Sequence, residues 1–425
     1  MFTGCNFINR EPSLRQGYGE AKGRAGGERA TNVDNFLKIY KIWIVIQVFT
    51  FITYMANIKR YLKEIISRNL EKRKIVLVYG ARQVGKTTLV REFLSSGKTL
   101  YLNGDFIDDR QRLDTVTRSM VERFSGLDLL ILDEAQNIPD IGVKLKVIHD
   151  TLPDMRIIAT GSSSFDLSNK VSEPLTGRNV VFMMFPVSIG ELSGNGTSLD
   201  DLLLYGSYPE VVLQADSQAK RDTIVRISES YLFKDVLNIE YIRSPKSLER
   251  LLKVMASQIG NEVSFLEIAN TIDLDVKTVM VYLDILEKLF VIFPLHPLAS
   301  TVRKSITKKR KYYFYDLGVR NAVLGDFSSL ANRTDVGFLW ENFVIMERMK
   351  RNERTGNRPE YFFFRSYKGE EIDFIEKYDD TLLGFECKYS KGVVVERIHK
   401  IFSDDLKGDG RVSVINRGNY EEFLR

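Results

Sequence analysis

Gly80-Ala-Arg-Gln-Val-Gly-Lys86-Thr87 is a complete GxxxxGK[ST] element, and its spacing has a physical reason. Glycines let backbone N–H groups converge on phosphate oxygens, and the helix that follows turns its positive N-terminus toward the same oxygens. The expected ATP cradle is Gly80, Ala81, Arg82, Gln83, Val84, Gly85, Lys86, Thr87 and Thr88. Lys86 suits the β- and γ-phosphates and counts among the catalytic groups; the Thr87 hydroxyl suits Mg²⁺. A second element, Leu129-Leu-Ile-Leu132, runs into Asp133 and Glu134. Acids at the C-terminal edge of a strand stand where an α/β sheet places its chemistry. Asp133 fits the Mg²⁺ shell, and Glu134 is the candidate to orient or deprotonate the attacking water. A hydroxyl after the next apolar run, Thr160 or Ser162, is a candidate γ-phosphate sensor.

These groups need strands behind them. Short apolar runs at 75–79, 99–103, 129–132, 156–160 and 180–185 alternate with helical segments. Such alternation predicts an α/β fold, a P-loop NTPase three-layer sandwich with a mostly parallel sheet. GARQVGKTT, LLILDEAQ, IIATGSSS, EPLTGR and MFPVSIGEL together resemble the prokaryotic AAA-type P-loop ATPases that carry an uncharacterised C-terminal region. The similarity runs from about Met55 to the C-terminus. It implies that Glu134 is the catalytic acid and that Gly177-Arg178 is the family's Gly-Arg element. Arg178 is then either an arginine finger beside the γ-phosphate or a structural arginine paired with an acid.

Residues 55–197 are assigned to the ATPase domain, and 198–243 to a helical lid or linker in which no chemistry is evident. Residues 244–330 read as a winged helix. Ser264 and Glu267 form a capping box, Asp275 caps the next helix, and two strands flank the basic loop 303–311. The expected partner is DNA, with Lys277 and Thr278 in a major groove and the basic loop on phosphates. The alternative is a winged helix packed between domains.

Residues 331–425 carry an amphipathic helix at 336–350, strands at 361–365, 372–375 and 382–386, a helix near 395–402 and a strand at 412–415. This αβββαβ order, restriction-endonuclease-like, resembles the PD-(D/E)XK nuclease superfamily, with Ile372 in place of the eponymous proline. The resemblance implies catalytic roles for Asp373, Glu386 and Lys388. Asp373 and Glu386 would share Mg²⁺, with Glu341 a further ligand and Lys388 assisting at the phosphodiester. Alternate strand residues share a face, so Glu386 and Lys388 project together. An ordinary ion pair is the bland reading of those two.

A 44% hydrophobic, 28% charged chain of 425 residues has ample material for several cores, which disfavours disorder. Cys5 and Cys387 lie too far apart in sequence for a disulfide framework, so a reducing cytoplasm is the expected compartment. His149, His296 and His399 supply no zinc-ligand spacing. The apolar run 42–54 is shorter than the ~20 residues a spanning helix needs, so membrane association is not expected. Residues 1–54 read as upstream sequence before a start at Met55, with a membrane-touching anchor or a buried helix as alternatives. The functional expectation is a Mg²⁺-dependent ATP hydrolase that moves a DNA-associated winged-helix and nuclease-like module, with a homo-oligomer possible. The alternative is a signalling or protein-remodelling switch whose nuclease-like domain is inert.

Overall fold

The computed structural model describes residues 58–94, 97–113, 115, 117–162, 175–237, 244–298, 309–366, 371–379, 381–390 and 411–425. The proposed leader and Met55 start, residues 303–308 of the basic loop and the helix expected near 395–402 lie outside the described residues.

Helix α1 (Leu62–Glu71) precedes β1 (Ile75–Tyr79), and α2 (Lys86–Arg91) follows the glycine loop. Strands β2 (Thr99–Asn103), β3 (Leu129–Asp133), β4 (Arg156–Gly161) and β5 (Asn179–Met183) complete a sheet of order β2-β3-β4-β1-β5, parallel throughout. β1 and β3 are buried along their whole length, as expected for parallel strands covered on both faces. Helix α3 (Ile141–Thr151) lies between β3 and β4. The strands fall where the sequence places them. β5 ends at Met183, earlier than expected, and Met184 N still donates to Tyr79 O at 2.6 Å.

A helical stretch follows: α4 (Leu199–Tyr205), α5 (Ser217–Leu237), α6 (Pro245–Ser257), α7 (Phe265–Ile272) and α8 (Val276–Lys288). Ser264 Oγ accepts from Glu267 N at 3.4 Å, and Asp275 Oδ1 accepts from Thr278 N at 2.9 Å, so both expected caps start their helices.

Strands β6 (Glu262–Val263), β7 (Ile292–Pro297) and β8 (Arg310–Phe314) precede α9 (Leu317–Leu324) and α10 (Val336–Thr355). Then come β9 (Glu360–Arg365), β10 (Glu371–Tyr378), β11 (Thr381–Cys387) and β12 (Arg411–Ile415). They form one sheet of order β12-β11-β10-β9-β7-β8-β6. β7 and β9 pair in parallel, with His296 opposite Phe362, so the sheet runs straight across the 330/331 boundary drawn from sequence.

Helix α10 corrects an expectation. Its polar residues do not form a solvent face, because Glu341, Asn342, Glu347, Arg348, Lys350 and Asn352 are all buried. Toward the second sheet, Arg348 forks onto Glu376 at 2.9 and 2.6 Å, and Trp340 Nε1 donates to Ile415 O at 3.1 Å. Toward the first, Ile189 N donates to Glu347 Oε2 (2.8 Å), Lys350 Nζ to Val187 O (3.0 Å) and Met183 N to Glu353 Oε1 (2.9 Å). A buried charge survives only when paired: Lys350 also pairs with Glu347 within α10 (2.7 Å), and the remaining bonds tie the helix to its neighbours. Among the described residues no helix is long and apolar enough to cross a membrane.

Candidate nucleotide and acid-cluster sites

β1 delivers Gly80 to the C-terminal edge of the first sheet. A Cβ there would lie 2.2 Å from Met184 O, so no larger residue fits. Gly85 adopts the left-handed region (φ 98°) where the loop turns into α2. Lys86 is buried, and its Nζ donates to Gly80 O (3.0 Å) and Ala81 O (2.8 Å), which holds the ammonium over the loop. Arg82 and Gln83 are exposed on the loop, and Thr88 is half-buried in the first turn of α2.

Asp133 is fully buried and richly solvated by hydroxyls. Its Oδ2 accepts from Thr87 Oγ1 and from Tyr101 OH, both at 2.7 Å, and its Oδ1 accepts from Thr160 Oγ1. Burial, and then the Asp133 carboxylate itself, keeps the Tyr101 phenol well above its ordinary pKa, so it remains a neutral donor. Thr87 and Asp133 thus stand together as the oxygen pair that a divalent cation would share. Glu134 takes a left-handed backbone (φ 48°), and its N–H donates to Thr160 Oγ1 at 3.3 Å. Gln136 Nε2 donates to Glu134 Oε2 (2.6 Å) and Ser162 Oγ (3.1 Å), which fixes the direction of the carboxylate. Thr160 is thereby tied to Asp133, and Ser162 to Gln136.

Three groups here escape sequence reading: Tyr101, Gln136 and Arg60. Arg60 donates to Val84 O in the loop (2.7 Å), to Phe185 O (2.7 Å) and to Glu191 Oε1 (3.1 Å). Burial would raise Glu191, but Arg60 and the N–H groups of Ser188 and Tyr61 hold its carboxyl below the usual value. The MFPVSIGEL run was the available signal, since it contains both Phe185 and Glu191.

Arg178 corrects the finger reading within one chain and agrees with its alternative, an arginine paired with an acid. It precedes β5, whose first residue Asn179 pairs with Ile75, whereas the glycine loop follows Tyr79. Four strand residues separate the two ends, about 13 Å at the usual rise. Arg178 forks onto Asp150 at 2.7 and 3.0 Å, at the end of α3. Within one chain it is a structural arginine, and it does not reach the phosphate loop.

The C-terminal acids do come together. β10 and β11 are antiparallel with Phe374 opposite Phe385, so Asp373 and Glu386 come next along the ladder. The β9–β10 register shifts between Ile372 and Ile375, a bulge that re-aims Asp373. Lys388 Nζ pairs with Glu386 and lies 4.0 Å from Asp373 Oδ2, while Cys387 N donates to Asp373 Oδ2 at 2.8 Å. Glu341 arrives from α10, where its Oε1 accepts from Tyr313 OH (2.5 Å) and Lys311 Nζ (3.3 Å). Lys311 also pairs with Glu371.

This corrects the basic-loop expectation at its C-terminal end: Lys311 is buried in an acid cluster, so it is not free to meet phosphate from solvent. Burial, then the Asp373 charge, pushes both Glu341 and Glu386 up to about 7. Burial also raises Asp373, against the pull of Lys388 and Lys311. Four acids face two lysines, and Glu386 Oε2 is buried with no hydrogen-bond partner. The excess negative charge and the unpaired oxygen fit a divalent cation. Yet among the described residues no group of three or more acids, histidines or cysteines is gathered into a ready metal cage.

Residues 72–193 match the AAA domain, residues 196–330 match a domain of unknown function (DUF8612), and residues 336–422 match a second one (DUF4143). The AAA match and the loop geometry together support ATP binding and hydrolysis. An uncharacterized protein of Mycobacterium tuberculosis is 28% identical over 84% of this chain and 79% of its own. An uncharacterized protein of Haemophilus influenzae is 24% identical over 87% and 94%. Among solved structures, the Walker-type ATPase of Pyrococcus abyssi aligns with a TM-score of 0.45 at 14% identity, over 63% of this chain and 96% of that one.

Proposed function

We propose that ATP hydrolysis at the phosphate loop drives a winged-helix and nuclease-like module that acts on DNA. In the hydrolytic step, the loop N–H groups and Lys86 bind the phosphates, and Thr87 with Asp133 would hold Mg²⁺. Glu134, aimed by Gln136, takes a proton from the attacking water. The bound cation supplies charge neutralisation at the γ-phosphate.

The observation that carries the coupling is α10. One of its turns presents Glu341 to the acid cluster; later turns hold residues 183–189, the segment whose Met184 abuts Gly80 and whose Phe185 shares Arg60 with the loop. A shift at the loop therefore has a packed, hydrogen-bonded route to the cluster.

For the module, the order α7, turn, α8, then the β7–β8 hairpin supports a winged helix. The order α10, β9, β10, β11 with its acids supports a nuclease-like domain. Asp373 and Glu386 would hold a divalent cation there, which when bound supplies Lewis-acid stabilisation of a phosphodiester. Lys388 is poised beside both to stabilise the developing charge or assist the water.

A second reading rests on the outward surface of α7 and α8. Leu266, Met280 and Val281 are exposed there beside Lys277 and Asp284, and the Thr278 hydroxyl is bound to Asp275. An apolar face of mixed charge suits protein contact better than phosphate, and it favours the switch with an inert nuclease-like domain.

The deciding assay incubates DNA and RNA with the full chain, Mg²⁺ or Mn²⁺, and ATP. Nicking that Asp373→Ala and Lys388→Ala both abolish supports the first reading. Wild type that cuts no form of either nucleic acid leaves the switch.

A further inference from the structure

Lys311 is a feature of the acid cluster that neither motif anticipates. It lies on β8, upstream of the nuclease-like elements, and is 4% exposed. Its ammonium pairs with Glu341 and Glu371 and also lies over the Phe363 ring, 5.4 Å from the centroid. Tyr313, two residues on and facing the same way, donates to the Glu341 oxygen that Lys311 also contacts. The site is therefore completed by a strand from outside the region that supplies its acids.

We propose that Lys311 is a built-in counter-cation of this cluster, competing with a divalent cation for Glu341 and holding the site's metal affinity down. The proposal rests on reading the cluster as a cation site, and it is independent of whether the site cuts.

Two contrasts carry it. A structural ion pair is balanced one to one, but here, among the described residues, Glu341, Glu371, Asp373 and Glu386 pair with Lys311 and Lys388 alone, so negative charge is left over for a further cation. The two lysines also differ in freedom. The Lys388 side chain is 38% exposed and can swing toward solvent as a cation arrives; that of Lys311, at 4%, is walled in. Its positive charge must therefore remain close to any incoming metal. It also keeps Glu341 and Glu371 engaged, which agrees with the lack of a ready three-acid cage among the described residues.

The test is Mn²⁺ binding to the full chain without nucleotide, read as free Mn²⁺ by electron paramagnetic resonance and as a Mn²⁺-dependent rise in unfolding temperature. Lys311→Met keeps the length and removes the charge. It should bind Mn²⁺ more tightly by at least about tenfold, a conservative reading of repulsion across a few Å at an effective dielectric of about 20. A merely structural lysine would give the opposite result, since damage to the cluster weakens binding.

The gain should vanish in Lys311→Met/Asp373→Asn. Equal or weaker binding by Lys311→Met overturns the proposal, as does tight binding that survives in the double variant, which would place the ion elsewhere. Folding of Lys311→Met that requires Mn²⁺ would support it. If Lys311→Met and Lys311→Gln both stay unfolded even with Mn²⁺, Lys311 is a required structural partner and the proposal fails. Wild type that never nicks nucleic acid would remove the proposed nuclease activity and leave each of these outcomes as decisive as before.

Discussion

At β3 the Asp133 carboxylate is satisfied by the hydroxyls of Thr87, Tyr101 and Thr160; at β10 and β11 the carboxylates lie against the ammonium groups of Lys388 and Lys311. Both centres bury acids, but they compensate them differently. A neutral hydroxyl can yield its place to a metal without charge repulsion, whereas a lysine must be pushed aside or tolerated. The first arrangement suits a cation that comes and goes with each nucleotide. The second suits a site that is guarded when empty of substrate.

The strongest attempt to break this contrast is Lys86→Ala, which should abolish ATP binding and hydrolysis by calorimetry and phosphate release. Unchanged turnover would remove the nucleotide half of the comparison. Glu134→Gln should slow turnover by about 10²–10⁴-fold, the usual contribution of a positioned base, while ATP stays bound. Rapid turnover in that variant would return the proton to water or to another group.

Asp316 calibrates the contrast, because it is a buried acid held by backbone N–H groups and one long contact from the Ser207 hydroxyl (3.5 Å), with no direct ion pair among the described residues. It accepts from Ser207 N (2.7 Å) and Val319 N (3.2 Å), and burial pushes it up to about 6 from 3.8. Its folded pKa is raised, so the folded state favours the protonated form. Its contribution to stability therefore falls as pH rises from about 4 through about 6 and is flat above. Asp316→Asn should flatten that slope, worth up to about 3 kcal/mol in denaturant titrations at the two extremes. An identical slope in the variant would refute the assignment.

Tyr101→Phe sharpens the Asp133 side. Losing one donor to a buried carboxylate should cost about 1–3 kcal/mol of stability, partly restored by Mg²⁺ and ATP as they replace the missing contact. The smallest effect is expected at Arg178. Arg178→Ala should leave turnover within about twofold, whereas an arginine finger supplied to a neighbouring copy would cost about 10³–10⁵.

What sequence could reveal follows from the range of each interaction. The loop at 80–87, the Asp133-Glu134 pair and most strand boundaries are written in contiguous residues, and they stand where expected. Arg60, Tyr101 and Lys311 act on partners 24 to 32 residues away or more, and no local period announces such a meeting. Helix α10 misleads for a different reason. Glu347, Lys350, Arg348 and Asn352 look like a solvent face at helical spacing, but each is buried against a partner supplied by the fold. The bulge that re-aims Asp373 is likewise a property of pairing, not of composition.

The parallel pairing of β7 with β9 has a practical corollary for anyone dissecting the chain. A truncation placed between α9 and α10 would strip β7 of its neighbour and bare a row of unsatisfied backbone N–H and C=O groups, a template for edge-to-edge self-association. The downstream fragment would be no better off, since β9 would lose the same ladder and the Glu341 carboxylate would lose both Lys311 and Tyr313. The seam that looks most natural for separating the two halves is thus where cutting should yield aggregates, and the downstream half is best studied with β7 and β8 still attached.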